Sequence, residues 1–566
     1  SYVRYNSANN EKSFHAHHMY SARKFGVLSS ITVRDFGDLK MGSNRNDDYP
    51  EFGLRSQYVE RIDGQDMVLD NEDPNLQIGT GYKQYDFLQK WIFRLTNHVN
   101  LEFNAQYSTS SDIPRYDNLI EQTDNGFRYA EWYYGPQDRL LISPKLTWNT
   151  NKVIFDKMIA IASFQNVNEN RVFRFFDSTS RENQDDRVKV YGMTVDFQKR
   201  LTHNQDLEYG VDMHYNDVAS SAFSENITNP GQTESTLTRY PSGGSSLTNI
   251  GAYMQFSWKN QDSTLNWING FRWTKQDVMM DYGQDDPVQW PDYFYDGISV
   301  SDNSVVGITG VNYKKNGFCG RIVTGTAFRA ANVDDLAKIR INSNEITVPN
   351  PELESERVWN SEIGLAYEGS NFRVGFTSYY SLISDAMVRS AYELPDGSTF
   401  YVTNGDSLNV TANINAQSGV VKGINAVAEL SINPRLKLFA SYNIQSGKAE
   451  DEEGQEMPLG HIPPSYGLVR MSYESKYMRF GLNWQYNGWK DIEDFGGSVD
   501  NPDLATADGS PSWSVLNING HFKVHKGLGI SLAANNLFDL HYRPFSSGVS
   551  APGRHFIISL KYDMDY

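Results

Sequence analysis

The densest group of metal-capable side chains in the sequence is His15, His17 and His18. Residues two apart share one face of an extended strand, so His15 and His17 could together hold a metal ion or an iron macrocycle. They could equally be wall residues that meet only solvent or a neighbouring domain. His461, beside Pro463 and Pro464, and His214 are candidates for an axial ligand to a macrocyclic iron. His541 and His555 read as structural. Trp132, Tyr133 and Tyr134 offer a flat aromatic wall for a planar ligand or a protein partner. The cluster Trp290, Tyr293, Phe294 and Tyr295, near Asp285, Asp286 and Asp292, poses the same question. A membrane-interface girdle needs the same residue types, so both readings stand for both clusters. The run Glu450-Asp451-Glu452-Glu453 supplies carboxylates without the ligand spacing of a calcium loop.

None of these groups resembles a catalytic constellation. The sequence has no His-Glu-x-x-His pair and no Walker loop, and Gly79-Thr80-Gly81 lacks the third glycine of a dinucleotide fingerprint. No enzyme activity, resident cofactor or bound metal is expected. A single cysteine, Cys319, excludes a disulfide framework and a cysteine metal cluster, and it reads as an inert wall residue. A net charge of −18 argues against nucleic acid, which demands basic surface.

The elements that must carry these residues are strands. At 566 residues the chain exceeds one compact soluble core, yet no Pro-rich, Gly/Ser-rich or like-charge linker divides it. Mean hydropathy is −0.56, but 34 Tyr, 30 Phe and 11 Trp make the chain rich in aromatics. That combination fits strands with one face on lipid and the other on a wet lumen. Phe556, Ile558, Leu560, Tyr562, Met564 and Tyr566 alternate with mostly polar residues. The same period runs through Met478, Phe480, Leu482, Trp484 and Tyr486, and through Ala252, Met254, Phe256 and Trp258. Runs of about ten residues suffice to cross a bilayer when tilted. Tight turns at 260–262, 433–435, 474–476 and 525–527 alternate with long polar segments at 37–82, 109–138, 220–246, 281–300, 445–464 and 489–511, and 543–552 is expected to be the last external loop. Short turns on one side and long loops on the other are the outer-membrane pattern. The expectation is an all-β, antiparallel transmembrane β-barrel of about 22 strands over residues 1–566.

Three motifs then point to a family. Asn535-Asn536-Leu537-Phe538-Asp539, Tyr542 and Pro552-Gly553-Arg554 resemble the closing hairpin of TonB-dependent outer-membrane receptors. Thr326-Ala327-Phe328-Arg329-Ala330-Ala331 with Asn350-Pro351-Glu352-Leu353 and Glu356 is similar to the paired boxes of the haem and haemoglobin receptor branch. Pro114-Arg115-Tyr116-Asp117 with Glu131-Trp132-Tyr133-Tyr134-Gly135-Pro136-Gln137 resembles the third external loop of that branch. Two positions depart from the pattern: Ala331 stands where the branch has proline, and residues 332–349 contain no histidine where haem receptors carry a haem-coordinating one.

The resemblance implies active uptake of an iron source across the outer membrane of a Gram-negative bacterium, with haem, possibly from haemoglobin, first and a ferric siderophore second. A passive porin-like barrel is the reading from a different class. Haem or a ferric chelate would be cargo, not cofactor. The implied partners are outer-membrane lipid and the TonB complex, the latter through a plug domain that, with a signal peptide, is expected to precede Ser1. Lumenal Lys437, Arg479, Lys523 and Lys561 would dock that plug.

Overall fold

Alternation becomes a closed wall. The computed structural model describes residues 1–284, 290, 292–342, 345–394, 396–403, 406–450 and 455–564. Among them, 22 wall strands pair antiparallel in chain order. The last, His555–Tyr562, pairs with the first, Tyr2–Asn6, in the register Tyr2↔Lys561, so the ring has no free edge at its seam. No helix of the described residues is long and apolar enough to cross a membrane.

The apolar face of each strand turns outward. Met254 and Phe271 lie opposite each other on neighbouring strands, and Phe271 is 50% exposed. Phe376, Ile424, Ile444, Trp484 and Ile558 are comparably exposed on other strands. Such a continuous apolar belt is a lipid contact. Ring pairs Phe25–Phe93, Phe197–Tyr209, Tyr313–Phe318 and Tyr367–Phe372 sit beside the short turns, where they form an interfacial girdle. The turns are locally encoded. Asn433 Oδ1 accepts from the backbone N–H of Arg435 and Leu436 at 2.9 and 3.0 Å. Gly317 sits at φ +81°, and a Cβ there would meet the Glu368 carbonyl at 2.4 Å.

At the other end the wall rises unevenly. Leu528–Asn535 has 8 residues, but Ser180–Thr202 has 23 and Asp406–Asn433 has 28. The uniform ten-residue strand expected from the sequence is therefore too short for much of the wall. A bilayer needs only about 9–11 residues per strand. The excess stands outside the membrane as a crown. Segments 220–226 and 445–450, read as loop, are the upper ends of strands. The other long connections lie where expected.

The crown has its own hydrophobic core. Val278, Met280, Phe294, Leu336, Ile346 and Val410 are fully buried in it. Segments 330–342, 345–355, 392–394 and 396–403 fold back to build it. Glu345–Thr347 pairs parallel with Asn409–Thr411 on the longest strand and antiparallel with Arg340–Asn342, extending the sheet over the mouth.

Candidate functional site

The paired boxes turn out to be a clasp. Phe328 and Arg329 end the strand Phe318–Arg329, with Ala330 just beyond, and Arg329 pairs with Asp335 and Glu356 at 2.5 and 3.1 Å. The Ala331 carbonyl accepts from Gln276 Nε2 at 2.6 Å. Asn332 caps the helix Val333–Ala337, with Asp335 completing the capping box. Asn350 is buried; its Nδ2 donates to the Asn413 carbonyl at 2.8 Å and its Oδ1 accepts from the Glu352 N–H at 3.0 Å. After Pro351 the chain brings Leu353 into the crown core. The closing hairpin does similar work. Asn536, 2% exposed and at φ +47°, donates to the carbonyls of Leu540 and Pro552. The Leu537 N–H donates to Leu516, Asp539 ties down Ser43 at 2.5 Å, and Phe538 stays exposed.

The aromatic wall faces inward. Tyr129–Tyr134 pairs with the upper end of Lys157–Phe175, placing Trp132 beside Phe173 and Tyr134 beside Arg171. Phe164, lower on that strand, contacts the ring of lipid-facing Tyr191. Phe173 is an odd number of residues further on, so Phe173, Trp132 and Tyr134 occupy the lumen face and Tyr133 the outer one. Trp132 is stacked on Phe173 and lies under the Arg115 guanidinium at 4.9 Å. Behind the wall, Arg174 is 1% exposed and grips Asp66 through two bonds of 2.6 and 2.9 Å, and Glu131 at 2.9 Å. This pins the hairpin Gln57–Ile62/Gln65–Asp70 against the crown.

Beside the aromatic wall stands a group of cations. Arg239 and Lys338 share Asp334 at 3.0 and 3.2 Å, and Arg115 holds Asp117 at 3.1 Å. Arg340 and Arg389 have exposed side chains and, among the described residues, no carboxylate or hydrogen-bond partner. They are close enough to repel each other. Burial first, then the charges of Arg389 and Arg115, holds the Arg340 guanidinium below its usual range. Its side chain reaches solvent in a space enclosed by protein. Register places both on one face: Arg340 is opposite Thr347, Thr347 is opposite Thr411, and Arg389 is opposite Asn413. On the crown wall, burial raises the Asp186 carboxyl to about 6, with Ser220 donating to it at 2.7 Å and Glu169 and Asp334 nearby.

The histidines do not converge. His214 faces the lumen beside Gly192 and Asn249, mid-strand in Gln205–Asn226. His461, at φ +61°, is on the rim; its N–H donates to buried Asp500 at 2.7 Å, its Nδ1 lies 3.5 Å from the same carboxylate, and its ring is 70% exposed. His15 and His17 share the lumen face near the short-turn side, 3.2 Å apart between ring nitrogens, while His18 is on the other face. His541 hydrogen-bonds Ser550 and His555 hydrogen-bonds Asn535, both inside the closing hairpin. Burial, with Arg45 and Arg543 nearby, lowers His541 to about 3, so it stays neutral. Trp290, Tyr282 and Phe294 pack in the crown core. Asp285, Asp286, Asp451, Glu452, Glu453 and Tyr566 lie outside the described residues, as does the Tyr293 side chain. Among the described residues no group of three or more His, Cys, Asp or Glu could hold a metal ion.

Sequence reasoning brought Trp132 and Tyr134 forward and missed Arg340 and Arg389. No sequence signal marked those two, since Asp385 and Glu393 stand four residues either side of Arg389 in the chain.

Comparison with known proteins follows the same lines. The model of the TonB dependent receptor-like β-barrel matches residues 26–537. The haemoglobin-haptoglobin utilization protein B of Neisseria meningitidis serogroup C is 26% identical over 239 residues, a match that spans 39% of this chain and 30% of that relative. The copper transporter OprC superposes with a TM-score of 0.73 at 14% identity, over 99% of this chain and 81% of that one. The FrpB iron transporter of Neisseria meningitidis superposes with a TM-score of 0.71 at 14% identity, over 99% and 80%. The chain belongs to the TonB dependent receptor-like β-barrel family and sits in the Gram-negative outer membrane.

Proposed function

We propose that this chain is the barrel of an active importer that captures an iron-bearing ligand outside the cell and passes it through the lumen. TonB would drive the passage through a plug domain, with lumenal Lys437 and Lys523 among the plug's docking groups. The barrel makes and breaks no covalent bond in this reading. Haem, taken from haemoglobin, is the first ligand. The observation that carries the proposal is the inward-facing pair Trp132 and Tyr134, in which buried Trp132 backs half-buried Tyr134 on the lumen face. A flat aromatic surface inside a water-restricted crown suits a planar macrocycle. The box motifs and the likeness to a meningococcal haemoglobin-haptoglobin utilization protein support haem. His214 in the lumen and His461 at the rim are the histidines such a ligand would pass.

A ferric siderophore is the second reading. It is favoured by the box loop, which offers Arg340 and no histidine between residues 332 and 349. Growth of a deletion strain on haem, haemoglobin or ferric siderophores as sole iron source separates the two. Growth restored by the gene but independent of TonB would overturn active import and leave a passive barrel.

A further inference from the structure

Most of the crown's charges are paired, although buried Arg55 meets only the rings of Tyr116 and Phe127. Asp66 takes Arg174 and Arg61, Glu131 takes Arg174 and Arg181, Asp334 takes Arg239 and Lys338, and Glu121 takes Arg128. Against that background Arg340 and Arg389 stand out. Neither has a carboxylate within ion-pairing distance among the described residues, and Arg340 lies within the field of Arg389. Their backbones are fixed. Arg340 is on a short strand locked by Thr347 and Thr411, whose hydroxyls lie 3.3 Å apart. Arg389 is on the rim of Phe372–Ala391, on the side that lower down faces the lumen. The opposite face of the same added sheet is packed into the crown core through Ile346 and Val410, so the two guanidiniums cannot turn away together. Like charges that share one face and lie within each other's field are relieved by an anion.

We propose that Arg340 and Arg389 form a clamp for the carboxylates of the transported ferric chelate. This rests on the transport reading above and adds what recognises the ligand: paired anionic groups, with no coordination of the iron by the box loop. Guanidinium suits the task because its planar fork matches a carboxylate through two parallel hydrogen bonds. The position matters as well. The chain carries −18 overall, so an anionic ligand meets a repelling surface until it reaches this local positive field. Tyr134, backed by buried Trp132 and close to Arg115, would then take the flat body of the ligand.

The test uses the full-length receptor in detergent with three probes: haem, haem dimethyl ester and ferric citrate. Binding is read by quenching of tryptophan fluorescence. R340Q and R389Q are each expected to weaken haem about ten- to a hundredfold, the loss of a charge-assisted bond. The ester, with the same macrocycle and no carboxylate, should bind the parent more weakly and be unaffected by either variant. R389K keeps the charge but loses the fork, and should fall between parent and R389Q. Heat-modifiable migration and resistance of the crown to protease check that each variant is folded. Equal weakening of haem and ester would overturn the clamp, because the arginines would then merely shape the site or hold the plug. So would no weakening at all, or failure of all three probes to bind the parent. Arginine-dependent binding of ferric citrate without haem binding would uphold the clamp and remove haem as the cargo. Intact binding without TonB-dependent uptake would uphold the clamp and remove active import.

Discussion

In the strand Leu265–Asp281 the lower half turns Trp267, Phe271 and Trp273 outward and Arg272 into the lumen, whereas the upper half turns Val278 and Met280 inward to 1% and 0% exposure. The side of the strand that carries apolar residues changes along its length. The lower half is a membrane wall, apolar outside because lipid is outside, and polar inside because the lumen is wet. The upper half is part of a water-soluble crown, where the apolar residues turn to a protein core. One strand crosses both regimes, and the switch between Trp273 and Val278 marks the upper edge of the membrane. The two regions therefore fail in different ways. The wall is sensitive to charge on its outer face, and the crown to loss of buried partners.

The largest expected effect is in the crown. Arg174→Ala strips Asp66 of its buried bidentate partner and should cost about 3–5 kcal/mol locally. Proteolysis should then cut the 57–70 hairpin while heat-modifiable migration of the barrel persists; loss of both would mean that wall and crown are one cooperative unit. Next, Phe271→Lys on the lipid face should cost about 2–4 kcal/mol near the membrane midplane, in denaturant-dependent refolding into vesicles. The same change at Met279, outward on the same strand but in the crown, should cost less than about 0.5 kcal/mol. Equal costs would erase the boundary drawn here.

A smaller effect concerns Asp186. Its folded carboxyl titrates near 6, above its unfolded value, so the unfolded chain releases this proton first as pH rises. Stability contributed by the protonated group is present below about pH 4 and lost as pH rises to 6. Asp186→Asn should therefore firm the crown at pH 7 by about 1–3 kcal/mol, with the gain vanishing at pH 4, as read by hydrogen exchange. The smallest effect is expected at the rim. His461→Ala, with its ring exposed and its neighbour Asp500 held through backbone bonds, should change haem affinity by less than about twofold. A shifted haem absorbance band in this variant would place iron ligation at the rim.

Much of the wall was legible because its code is local. A period of two fixes which face of each strand meets lipid, and Asn433 or Gly317 fixes a turn within a few residues. The crown was not legible in the same way. Segments 220–226 and 445–450 read as polar loop because a strand above the membrane no longer needs an apolar outer face. Trp132 could be read as girdle or ligand wall until pairing with Phe173 set its face. Arg340 and Arg389 carry no motif at all; what distinguishes them is the lack of a nearby carboxylate, a property of three-dimensional neighbours.

The sequence by itself determined the antiparallel barrel, its asymmetry of short turns and long loops, and its closing hairpin, because each rests on residues a few positions apart. Only the tertiary structure decided that the box loop folds back as a strand beside Asn409–Thr411, that the outer half of the wall encloses a soluble core, and that two arginines without a carboxylate among the described residues share one face. Those features depend on which distant strands become neighbours when the ring closes, and a two-residue period carries no information about that.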